Sequence, residues 1–239
     1  MLNEILWLLF LILDLSIALL IFYFFEKEGI FTLISLSIIV CNIQVIKLVK
    51  LFGFTATLGN VLYGSIFFAT DILSEFYGKK EARKGVTLGF IALVITVIYM
   101  QIALHFKPAP DDFSHKPLSE IFNFLPRIVA GSLLAYLASQ YHDVWAFHLW
   151  RRITKGRHLW LRNNLSTMVS QFIDSLVFCL IAFWGVYDLP TWIDILLTTY
   201  FLKWIVALLD TPFIYLARFL AVKKGIQPQL MILDKGKEV

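Results

Sequence analysis

The sequence predicts an all-α polytopic membrane protein, a bundle of about seven transmembrane helices, and three observations carry that prediction. Of the 239 residues, 59% are hydrophobic. Only 16% are charged, against about a quarter in soluble domains. The apolar residues also fall in blocks of about 18 or more rather than in short alternating runs, the length a helix needs to cross hydrocarbon. Open sheet edges cannot face lipid, so the spans are expected to be helices.

Seven blocks qualify, over residues 5–25, 31–50, 57–77, 85–106, 121–140, 165–187 and 192–219. The first opens on Met-Leu-Asn-Glu, without a basic leader or a small-residue cleavage site before Glu26, so it reads as a span and not as a secretory signal. No Gly- or Ser-rich linker divides the chain, and one integral membrane domain, 1–239, suffices. The stretch 141–164 interleaves Trp145, Phe147, Trp150 and Trp160 with cations, which suits an amphipathic linker helix in the cytoplasmic headgroup layer. Cys41 and Cys179 fall inside spans and are expected to be packing thiols, with no metal-ligand spacing around them.

Lys and Arg alternate between loops. The loop after the third block carries Lys79, Lys80, Arg83 and Lys84, and that after the fifth carries Arg151, Arg152, Lys155, Arg157 and Arg162. The tail adds Arg218, Lys223, Lys224, Lys235 and Lys237, whereas the turn VYDLPT after the sixth block has none. The positive-inside rule puts these basic segments, with the C-terminus, in the cytoplasm and the N-terminus outside. The net charge of +4 is thereby a matter of topology and not of nucleic-acid binding.

An ionisable side chain at the centre of a span costs about 2.5–3.5 kcal/mol on insertion scales, so each one needs a reason. The residues concerned are Asp14, Asp71, Glu75, Arg127, Asp174, Lys203 and Asp210, with Asn42, Lys47 and Gln171 as strongly polar or near-end companions. Asp71 and Glu75 are four apart in ATDILSEFYG and share a helix face; Gln171 and Asp174, three apart in QFIDSLVF, share another. On helices of opposite direction the two faces reach a similar depth and can line one polar cavity. Lys203 and Asp210 share a face of the last block and can be satisfied by each other or by neighbours of opposite sign. Asp14 stands alone on the first block and is expected to contact another helix. No HExxH, Walker A or GxSxG pattern is present, and no cofactor or metal is expected. An aspartyl dyad of Asp71 and Asp174, which would make an intramembrane hydrolase, lacks the glycine-bearing context around Asp174. Carboxylates and amides in a span instead suit transport of a polar solute.

In order along the chain, TDILSEFYGKKEAR, PRIVAGSLLAYLASQYHDVWAF, WLRNNLSTMVSQFIDSLVF and KWIVALLDTPFIY resemble the queuosine precursor transporter family, bacterial inner-membrane proteins also called vitamin uptake transporters. The resemblance runs from about Asn42 to Tyr215. It implies a six-helix core with residues 1–30 as an extra N-terminal helix. It also implies uptake of 7-deazaguanine compounds, the queuosine precursors preQ0 and preQ1 and in some members queuine, for transfer-RNA modification. On that reading Asn42, Asp71, Gln171, Asp174 and Lys203 bind substrate. Either Asp71 or Asp174 takes the donor edge, and Gln171, Asn42 or Lys203 lies near the carbonyl. Lys47, Glu75, Arg127 and Asp210 gate or set the charge balance, and Phe67, Phe68, Phe172 and Trp204 are candidates for a stacking face. The partners are the solute and the bilayer, and so small a bundle allows a homodimer. The nearest rival reading is a substrate-capture subunit of an energy-coupling vitamin importer; behind it stand the intramembrane hydrolase and a structural membrane protein.

Overall fold

The computed structural model describes residues 2–153 and 159–226, and it is built almost entirely of helices. The linker cations Lys155 and Arg157 and the tail cations Lys235 and Lys237 lie outside the described residues. Helix α1 is Leu2–Gln44, broken at Glu26, whose φ of 52° is left-handed. The break falls in the polar run EKEG between two apolar blocks. Gly29 sits where a Cβ would stand 2.7 Å from both Ile21 and Phe25, so only a bare backbone fits the turn. The chain doubles back there, because Asn3 near its start donates to the carbonyl of Lys50, just past its end.

Strands β1 (Leu48–Leu51) and β2 (Phe54–Thr57) form an antiparallel hairpin with Leu48 opposite Thr57. Its two-residue turn, Phe52–Gly53, has positive φ at both positions, the geometry that matches strand twist. The helix of the expected second span therefore stops at Gln44 and not at residue 50, and a short turn leads from it into the hairpin. The hairpin escapes the ban on open edges in lipid because one side of it is buried in protein: Leu51, Ala56 and Thr57 are buried, and Thr198 donates to the carbonyl of Thr55.

Then come α2 (Asn60–Phe76), α3 (Lys79–Leu104), the short α4 (His115–Phe122), α5 (Leu125–Ile153), α6 (Leu159–Phe183), α7 (Leu189–Leu209) and α8 (Thr211–Lys223). Residues 141–153 continue α5, and 159–164 open α6. Helix α1 packs on α2 and α3, α5 on α6, and α7 joins α6 to α2. Among the described residues, four helical stretches are long and apolar enough to cross a membrane: Leu2–Gln44, Lys79–Leu104, His115–Ser139 and Leu189–Lys223. Met168–Phe183 adds a shorter apolar one. The protein is thus an all-α membrane protein with several apolar helices and one short hairpin set among them. Large side chains such as Leu9, Ile98 and Phe201 cover its outside, as lipid requires. Asp14 meets Ser65 of α2, a contact between helices as expected.

Candidate functional site

The end of α1 and the start of α2 meet inside the bundle. Gly59, with φ of 92°, turns the chain into α2 against the carbonyl of Cys41, where a Cβ would stand only 2.7 Å from that oxygen. A left-handed conformation and a close approach thus both demand glycine. No side chain caps this end of α2, so its first amide groups add a partial positive charge beside the carbonyl end of α1. Thr198, which holds the hairpin, lies nine residues into α7, about 14 Å from its start by helical rise. That is near the middle of a hydrocarbon core about 30 Å thick. Interrupted helices at such a depth are where transporters bind solutes.

A small cavity lies at this junction, with a free volume of about 30 Å³. Asn42, Asn60, Tyr63, Ser132, Asp174 and Lys203 are among its lining, with Phe178 as an apolar wall. Asp174, on α6, is fully buried. Its Oδ2 lies 2.5 Å from Nζ of Lys203 on α7, a lysine only 4% exposed. The Tyr63 hydroxyl of α2 donates to its Oδ1 at 2.5 Å, and Ser139 of α5 donates to the same oxygen at 3.2 Å. The ammonium of Lys203 also rests 4.1 Å from the centre of the Tyr63 ring. Both acceptor atoms of the carboxylate are engaged, which is how a charge survives burial. Beside it the Ser132 hydroxyl donates to Oδ1 of Asn42 at 2.6 Å, and the Asn42 amide donates to the carbonyl of Ile38.

Three of the five expected substrate residues, Asn42, Asp174 and Lys203, therefore line one cavity. Gln171 does not line it: its side chain is 1% exposed, and neither its amide nitrogen nor its carbonyl oxygen has a partner among the described residues. Asp71 stands about two turns further along α2 than Tyr63, also outside the lining, and its charge is felt by the buried Asp210 at the α7–α8 junction. Lys203 pairs with Asp174, and Asp210 is not its partner in that bridge. Arg127 donates to the carbonyls of Ile181 and Trp184, so it caps the end of α6. Lys47 is exposed at the base of the hairpin, and Glu75 is half-buried near the end of α2. Phe67, Phe68, Phe172 and Trp204 are not in the lining; the aromatic walls are Tyr63 and Phe178. Tyr63, Ser132 and Ser139 escaped the sequence reading. The seven-residue spacing of the two serines, which sets both on one face of α5, was the available signal.

A family model described as "Putative vitamin uptake transporter" matches residues 57–217. The "Probable queuosine precursor transporter" of Bacillus subtilis is 47% identical over 219 residues, covering 91% of this chain and 96% of the relative. This chain belongs to that family. The "Queuosine precursor transporter" of Escherichia coli is 28% identical over 181 residues, 74% of this chain and 79% of the relative. A further relative, from Haemophilus influenzae, is 29% identical over 134 residues, 56% of this chain and 54% of its own. No solved structure matches. These relatives are named as transporters, in keeping with the apolar helices and with a polar site sunk among them.

Proposed function

We propose that this protein imports queuosine precursors, 7-deazaguanine bases such as preQ0 and preQ1 and also queuine, across the bacterial inner membrane for transfer-RNA modification. The relatives' names supply the substrate class. The observation that carries the reading is Asp174: a fully buried carboxylate in a cavity where two helices are interrupted. We read seven crossings, two of them from the halves of α1, with the basic loops and the C-terminus in the cytoplasm.

A deazaguanine presents a ring N–H beside an exocyclic amine, and a carboxylate accepts both. In this reading that donor edge takes the place of Lys203 on Asp174. The displaced ammonium, with the Asn42–Ser132 pair and the bare N-terminus of α2, then serves the base's carbonyl. Tyr63 and Phe178 flank the ring. The cavity of about 30 Å³ is far below the roughly 300–1,000 Å³ of small-molecule sites, so binding must open it. Release of the Asp174–Lys203 bridge is the event that links occupancy to opening. A solute lacking the donor edge would leave the carboxylate unpaired, and this makes the bridge a selectivity device as well. Asp71, Glu75 and Asp210 belong, on this account, to the cytoplasmic gate and not to the binding cavity.

The test is the queuosine content of transfer RNA in bacteria that can neither make nor import the precursor and that express this chain. Cultures are fed limiting preQ0, preQ1 or queuine separately. Restored queuosine supports the proposal, and the best-used compound names the preferred substrate. Absence of restoration from all three, with the protein in the membrane, contradicts it.

A further inference from the structure

Gln171 and Ser175 lie four apart on one side of α6, with Asp174 between them, and both are buried. Among the described residues, the Gln171 amide nitrogen, its carbonyl oxygen and the Ser175 hydroxyl all lack a hydrogen-bond partner. Buried polar groups are nearly always paired, so three orphaned atoms on one turn call for an explanation. Neither residue lines the cavity that holds Asp174. Gln171 lies three residues from Asp174 toward the Leu159 end of α6, a rise of about 4.5 Å. That end adjoins the Arg-rich linker, which the positive-inside rule sets in the cytoplasm. Polar groups continue the same way on α5, where Ser139 donates to Asp174 and His142 then meets Ser170 of α6 at 2.9 Å.

We propose that Gln171 forms a second solute station on the cytoplasmic side of Asp174, built for the lactam edge of a planar base. This inference rests on the importer reading above. A carboxylate can only accept, so Asp174 takes the ring N–H and the amine. A carboxamide presents a donor beside an acceptor, so it matches a ring carbonyl beside a ring N–H with two parallel hydrogen bonds. In a guanine-like base the same ring N–H belongs to both edges. One base therefore cannot satisfy Asp174 and Gln171 together, and the two stations must be used in succession. Leaving Asp174 then gains two bonds about one helical turn inward. The bridge to Lys203 re-forms behind the solute.

The experiment compares wild type with Gln171→Leu in the purified full chain, using radiolabelled preQ0 as the probe. Affinity is measured in detergent, maximal uptake in proteoliposomes and thermal stability in both proteins. The station predicts affinity within about twofold of wild type, uptake slowed roughly tenfold or more, and a Tm raised by about 2–4 °C because orphaned groups are gone. Affinity weakened in step with uptake would overturn it, since Gln171 would then belong to the first pocket. So would unchanged uptake, or a lowered Tm, the mark of a structural role. Wild-type protein that neither binds nor transports preQ0 overturns the importer reading itself, an outcome visible before any variant is compared.

Discussion

Asp174 has two acceptor oxygens and three donors upon them, from Lys203, Tyr63 and Ser139. Breaking a buried pair by removing one partner costs about 3–5 kcal/mol, because the other charge is left uncompensated. Asp174→Asn should thus lower stability by about that much in thermal unfolding of the purified protein. Asp174→Asn combined with Lys203→Met should recover most of the loss, since neither charge then remains. An additive double variant would mean that the bridge does not hold the two side chains as described. Tyr63→Phe removes one hydroxyl donor and should cost less, about 1–3 kcal/mol, in the same measurement. At this scale the sequence was informative wherever a residue was expensive: an aspartate and a lysine in apolar blocks announce themselves. Tyr63, Ser132 and Ser139 did not, because a serine hydroxyl can return to the carbonyls of its own helix and a tyrosine, apolar except at its tip, is cheap in a span. Gln171 was legible as a polar anomaly, but its lying outside the cavity was not.

Among the elements, the junction of α1 and α2 decides where the site can be. Gly59→Ala would set a methyl against the Cys41 carbonyl and force a left-handed residue, so the two helix ends would have to part. Solute binding should fall at least roughly tenfold while helix content by circular dichroism stays near wild type; intact binding would show that the junction tolerates separation. Outside the membrane, the Asp112 carboxylate accepts from the Ser114 hydroxyl and from the backbone amides of Ser114 and His115 at the start of α4, and these bonds hold its pKa below the usual value. A depressed carboxylate stabilises above its unfolded pKa and loses that contribution as pH falls through the folded value. Protection of the α4 amides from hydrogen exchange should therefore persist at neutral pH and decline only below about pH 4. Asp112→Asn should remove that decline. The helices themselves were readable from block length. The hairpin was not, because LVKLFGFTAT is as apolar as its surroundings and only its burial against α7 lets strands persist there.

For the whole molecule, the orientation follows from loop charge and is open to direct test. In intact cells, a membrane-impermeant thiol reagent should label Asp111→Cys, beyond α3, and spare Lys80→Cys, at its start. Both positions are exposed, and native Cys41 and Cys179 are buried and free, so the background is low. The reverse pattern would invert the direction of every step proposed here. The central claim is that Asp174, in the cavity between the interrupted helices, reads the solute. Initial uptake of radiolabelled preQ0 tests it most directly, in cells lacking other importers and carrying wild type, Asp174→Asn or the compensated Asp174→Asn, Lys203→Met pair. The account predicts uptake by wild type and a fall of roughly a hundredfold in both variants, including the one whose stability is restored. Wild-type uptake by the compensated pair, verified in the membrane, would contradict it.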